Sequence, residues 1–69
     1  MERVEVKSTN VKSVGHEGDV LEVEFKNGGI YHYEGIDANM FGNLLKSPSV
    51  GSFVAKTVRP SAIKAKKIS

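Results

Sequence analysis

The chain has 69 residues, with ten Lys or Arg, eight Asp or Glu, no Cys, no Trp and 39% hydrophobic residues. A chain of this length forms one small domain that buries about 60% of the surface its unfolded form exposes, and without Cys it has no disulfide framework and no thiolate zinc site. No apolar run approaches the roughly 18 residues of a membrane span, so the expectation is a soluble, cytoplasmic protein with no membrane partner.

The first elements read as strands. Val4 and Val6 alternate with Arg3, Glu5 and Lys7, giving an extended lead-in unlike a targeting segment. Val11 to Val14 begins a strand over 11–16 that ends at the turn-like Glu17-Gly18-Asp19. Leu21, Val23 and Phe25 alternate with Glu22, Glu24 and Lys26, the period-two pattern of a half-buried strand. Lys26-Asn27-Gly28-Gly29 then marks a hairpin turn into Tyr31-His32-Tyr33.

Two hairpin registers are open. A two-residue Asn27-Gly28 turn pairs Glu24 with Tyr31 and puts both tyrosines on the outer face as a possible base-stacking platform. A three-residue Lys26-Asn27-Gly28 loop instead pairs Val23 with Tyr31 and Leu21 with Tyr33. The second register gathers Leu21, Val23, Phe25, Tyr31 and Tyr33 on one face and leaves Glu22, Glu24, Ile30, His32 and Glu34 on the other. Patterning favours it. The tyrosines are then a structural aromatic motif with hydroxyls at the rim, and the outer face is acidic.

Helical spacing follows. Asp37 is the expected N-cap of a helix whose apolar face is Met40, Phe41, Leu44 and Leu45. Ser47-Pro48 reads as N-cap and first position of a second helix carrying Val50, Phe53, Val54 and Val58 on one face. Pro60 disfavours the helical region for Arg59, so this helix is expected to end near Val58. The result is an α+β fold: a small antiparallel sheet of three strands, or four with the lead-in, followed by two short helices packed on one face. Residues 1–60 form the domain, and 61–69 are a basic, flexible C-terminal tail.

Taken together, Ser8-Thr9-Asn10-Val11, Val14-Gly15, Leu21-x-Val23-x-Phe25, the stretch from Asn27-Gly28-Gly29-Ile30-Tyr31-His32-Tyr33 to Glu34-Gly35-Ile36, Ser49-x-Gly51-x-Phe53 and Val58-Arg59 resemble the KTSC domain. This module is named for the C-terminus of some lysyl-tRNA synthetases and also occurs as a free-standing short protein. The resemblance covers most of the chain, and its Tyr-x-Tyr flanked by glycines is the most specific part. His16 stands where the family usually has Tyr, Asp37 where it has Pro and Ala55 where Asn is frequent, and no aromatic follows Arg59. RNA binding is the function this resemblance implies, from the family's company with a tRNA-charging enzyme.

The chemistry-bearing residues point away from catalysis. His16 and His32 sit in no metal-ligand or triad spacing, so neither a metal nor another cofactor is expected. Ser47-x-Ser49-x-Gly51 lacks the leading Gly and buried strand of a nucleophile elbow, and a fold this small has no room for a deep pocket of about 300–1,000 Å³.

Charge is more informative. Residues 1–45 carry four basic and all eight acidic side chains, whereas 46–69 carry Lys46, Lys56, Arg59, Lys64, Lys66 and Lys67 and no acid. That separation suggests an anionic partner, against the plainer reading of a solvated tail. Lys46, Ser47, Ser49, Gly51 and Ser52 surround the start of the second helix, where free N–H groups favour a phosphate, although ordinary capping by Ser47 and a packing Gly explain the same residues. The sequence-level expectation is a non-catalytic module, monomeric with weak self-association, that binds RNA or another anionic polymer through its basic third. The alternative is a protein-interaction module, or a small inhibitory or accessory protein, using an edge strand or the acidic sheet face.

Overall fold

The computed structural model describes residues 2–69. Five strands form one antiparallel sheet in the order β1-β2-β3-β4-β5: β1 Arg3–Glu5, β2 Val11–Glu17, β3 Val20–Phe25, β4 Ile30–Glu34 and β5 Lys64–Lys67. The expected three or four strands are thus five. The lead-in joins as β1, and the segment expected to be a flexible tail pairs with β4 as β5.

The hairpin adopts the patterned register. Val23 lies opposite Tyr31 and Leu21 opposite Tyr33. Gly28 closes the three-residue loop at φ 100°, a conformation that favours glycine, and its N–H donates to Phe25 O at 3.0 Å. In β2 strict alternation would send Val11 and Val14 to opposite faces. A register shift between Val11 and Ser13 turns both inward, where both are fully buried.

α1, Ala38–Lys46, starts as expected, with Asp37 Oδ1 accepting from Met40 N at 2.8 Å. Only Leu44 of its apolar residues is fully buried; Met40 and Phe41 pack partly against the core and Leu45 is 42% exposed. His16 Nε2 lies 2.6 Å from Ile36 O, so its N–H donates to that carbonyl, and its ring stacks on Phe41 at 5.1 Å. His16 thereby ties the entry of α1 to β2.

The second helix departs from expectation at both ends. Ser47 terminates α1, its N–H donating to Leu44 O, and Ser49 rather than Ser47 is the N-cap of α2, Val50–Phe53. The path continues through a π-helical turn, Val54–Val58, into α3, Arg59–Ser61. Arg59 is helical at φ −60° and ψ −46°, with its N–H donating to Val54 O. A proline clashes with the carbonyl four residues earlier in a regular α-helix. The wider π turn precedes Pro60 and allows the helix to run past Val58.

The helices cover one sheet face. Val11, Val14, Leu21, Val23, Tyr33, Ile36, Leu44, Val50, Val54 and Val58 form the core. Val50, Val54 and Val58, four residues apart, keep one edge of the helical path against the sheet.

Candidate functional site

The inner sheet face is not covered from end to end. Where β3–β4, β5 and the helical path meet, a groove of about 340 Å³ remains, lined by Asn10, Phe25, Asn27, Tyr31, Tyr33, Gly51, Val54, Ala55, Arg59 and Ala65. It is an open groove and not a deep pocket. Because β4 pairs with β5, Ala65 lies opposite Tyr33 and Lys67 opposite Tyr31. Lys67 and Ser69 line an adjoining hollow with Asn27, Gly28, Gly29 and Tyr31.

Aromatic rings form much of the floor. Phe25 and Tyr31 meet edge to face at 5.6 Å, and Tyr31 and Tyr33 stack at 6.3 Å with an interplanar angle of 17°. Tyr33 is only 4% exposed and Tyr31 is half-buried, so the motif is both core and groove wall. Burial pushes the Tyr33 phenol above its usual 10.0, partly offset by the cationic Arg59, while Tyr31 adds to the rise. Tyr33 is therefore a neutral hydroxyl at neutral pH. The loop before β2 lines the groove because Gly51 lets it approach: a Cβ at Gly51 would collide with Asn10 Oδ1. Ser8 holds that loop by accepting from the Asn10 and Val11 N–H groups.

The proposed phosphate cradle at the second helix is not assembled. Lys46 sits in the last turn of α1. The Ser47 hydroxyl is committed to a local turn, donating to Ser49 O and accepting from Ser49 N, both at 3.1 Å. Ser49 makes no side-chain cap, Gly51 faces Asn10, and Ser52 is exposed. The packing explanation for Gly51 is the one the geometry carries; Ser47 performs its structural task at the end of α1. Lys56 lies exposed on the π turn.

The remaining basic residues divide between the sheet's faces. Arg59 lines the groove, and Lys67 shares the face of Tyr31 beside it. Lys64 and Lys66 lie opposite Glu34 and His32 on the outer face. That face is consequently not a bare acidic surface. Arg3 sits 3.3 Å from both Glu22 and Glu24, His32 Nε2 is 2.7 Å from Glu22, and Ser13 donates to Glu24 at 2.9 Å. Glu22 and Glu24 are thereby paired, and Glu34 lies opposite Lys64. β1 and β5 supply these cationic neighbours, from a segment read in the sequence as a lead-in that joins only a four-stranded sheet and from one read as a flexible tail.

Asn10, Phe25 and Asn27 were not singled out as site residues, although all three lie within the stretches that carry the family resemblance. What hid them was their convergence on one groove, which depends on the path of the second helix. No group of three His, Cys, Asp or Glu among the described residues is placed to hold a metal, and no helix among them is long and apolar enough to cross a membrane.

The family model of the KTSC domain matches residues 7–61, most of the chain. The chain belongs to the KTSC domain family. It is 34% identical over 62 residues to a protein of Stutzerimonas stutzeri (strain A1501) described as uncharacterised, covering 87% of each chain. The crystal structure of a KTSC domain protein from Yersinia pestis is similar in fold, with a TM-score of 0.89 at 27% identity over 99% of this chain and 97% of that one. That structural match extends beyond residues 7–61, so the flanks that form β1 and β5 belong to the shared architecture as well.

Proposed function

We propose that this KTSC domain is a non-catalytic module that binds a single-stranded anionic polymer, RNA, along the groove and the adjoining β5 strand. The observation that carries this reading is charge placement: among the described residues no carboxylate side chain lines the groove, Arg59 lies in its wall, and β5 adds Lys67 beside it and Lys64 and Lys66 across the strand. Phosphates along a strand gripped there meet cations spaced by the strand itself. The same proposal keeps the protein cytoplasmic, as a monomer with weak self-association. A protein-interaction module is the competing reading, because β5 is an outer strand with an unpaired edge.

Titration of mixed RNA against salt separates the two. Each neutralised phosphate contributes roughly 0.7–0.9 to the slope of log affinity against log salt, so four to six contacts give a slope of about −3 to −5. Reversing Lys64, Lys66 and Lys67 to Glu should reduce affinity at least about tenfold while the domain stays folded. A triple variant that binds RNA like the wild type rejects this placement. No binding by either protein leaves the interaction-module reading standing.

A further inference from the structure

The polar groups of the groove are weighted towards donors. The Asn27 amide oxygen accepts from Gly29 N at 2.9 Å and the Asn10 amide oxygen from Ser8 Oγ at 3.3 Å, which leaves their NH₂ groups to donate. Arg59 donates only. Tyr33 is 4% exposed as a residue, but no side-chain oxygen buried away from solvent lacks a partner among the described residues. Its hydroxyl, which bonds to no other side chain or backbone group there, is therefore the part that solvent reaches at the groove. A hydroxyl that water reaches in the free protein is available to donate to an acceptor on a ligand instead. The apolar part of the site is aromatic, with Phe25 edge-on to Tyr31 and Tyr31 stacked on Tyr33, and its volume lies at the lower end of the small-molecule range of about 300–1,000 Å³.

We infer that the groove holds one unpaired base of the bound strand and prefers uracil, whose two carbonyl oxygens face the Tyr33 hydroxyl, the asparagine NH₂ groups and Arg59 while its ring lies against Tyr31. Adenine and cytosine each present an exocyclic amino donor to a wall that already donates, and are disfavoured for that reason. The inference rests on the RNA-binding reading and adds base recognition to it; a polyanion without bases uses the cations alone.

The test compares oligouridylate, oligoadenylate and polyphosphate of matched charge at one salt concentration, with wild-type protein and Tyr33→Phe, followed by amide NMR shifts. Oligouridylate should bind wild type about tenfold or more tighter than polyphosphate and shift the amides of Asn10, Asn27 and Tyr31. Tyr33→Phe removes one oxygen with no internal partner, so resonances away from the groove should hold their positions. The preference for oligouridylate over polyphosphate should fall by about fivefold. Equal affinity for all three polymers, or an unchanged preference in Tyr33→Phe, overturns base recognition and leaves the polyanion reading intact. Binding of none of them overturns both, as does a groove that responds to an acidic peptide and not to oligouridylate.

Discussion

β3 and β5 both pair antiparallel with β4, but they are held there by different forces. β3 brings Leu21 and Val23, both fully buried, against Tyr33, so its pairing is sealed by the core. β5 is exposed along its whole length, and the flanking Ile63 and Ile68 are 84% and 47% exposed. Its attachment is mainly main-chain: Ile63 N donates to Glu34 O at 2.8 Å, Ile68 N to Ile30 O at 2.7 Å, and Ile30 N to Ser69 O at 3.0 Å. Two strands on one neighbour therefore differ in what their loss costs. The packed side specifies the fold, and the main-chain side contributes charge and a groove wall.

The sharpest way to break this comparison is at Tyr33. Tyr33→Ala removes a ring that is 4% exposed and leaves a cavity under β3 and the π turn. Expected destabilisation is about 3–5 kcal/mol, comparable with the whole stability of a domain this size. Thermal melts should show a largely unfolded variant at room temperature. A melting point within a degree or two of wild type would mean the hairpin is not what the core rests on.

The hairpin could be read from the sequence because one-residue slippage would scramble Leu21, Val23, Phe25, Tyr31 and Tyr33 across two faces. Asp37 was legible for a similar reason, since a cap is a local device. β5 was not, because Lys64-Ala65-Lys66-Lys67 carries no apolar alternation and its strand state comes from the free edge of β4. The path beyond Val58 was misread because the proline rule is a local bias against the helical region at Arg59, and Arg59 adopts that region all the same, its N–H bonded to Val54 O across the π turn. The candidate site inherited both errors: its cations were known as a group, but the groove that orders Arg59 and Lys67 depends on β5 and on that helical path.

Ending the chain after Ala62 tests the other side of the comparison. It deletes β5 and its main-chain bonds but removes no core residue. Each such bond is worth only about 0.5–1.5 kcal/mol net, and the conformational entropy of holding the strand offsets part of that gain. The truncated protein should stay folded and lose only about 1–2 kcal/mol in urea titration, well below the loss in Tyr33→Ala. Hydrogen exchange of the intact protein supplies an independent check. Ile63 and Ile68 amides should exchange through local opening, while Leu21 and Tyr33 exchange only through global unfolding. Equal protection in both strands would mean that β5 is as firmly held as β3.

The smallest expected effect is confined to alkaline pH and reports on the buried side alone. The Tyr33 phenol sits above 10.0, chiefly because burial disfavours phenolate. Its folded-state value therefore exceeds the unfolded one, and across that interval the unfolded chain has released a proton that the native state retains. Stability from this group is complete below about pH 10 and falls as pH rises through the folded-state value. Urea midpoints between pH 8 and pH 11 should be flat and then decline, and Tyr33→Phe should decline less because it has no phenol to ionise there. A decline of the same size in Tyr33→Phe would assign it to the lysines and Tyr31, and would mean that solvent reaches Tyr33 more freely than its position beneath the helices allows.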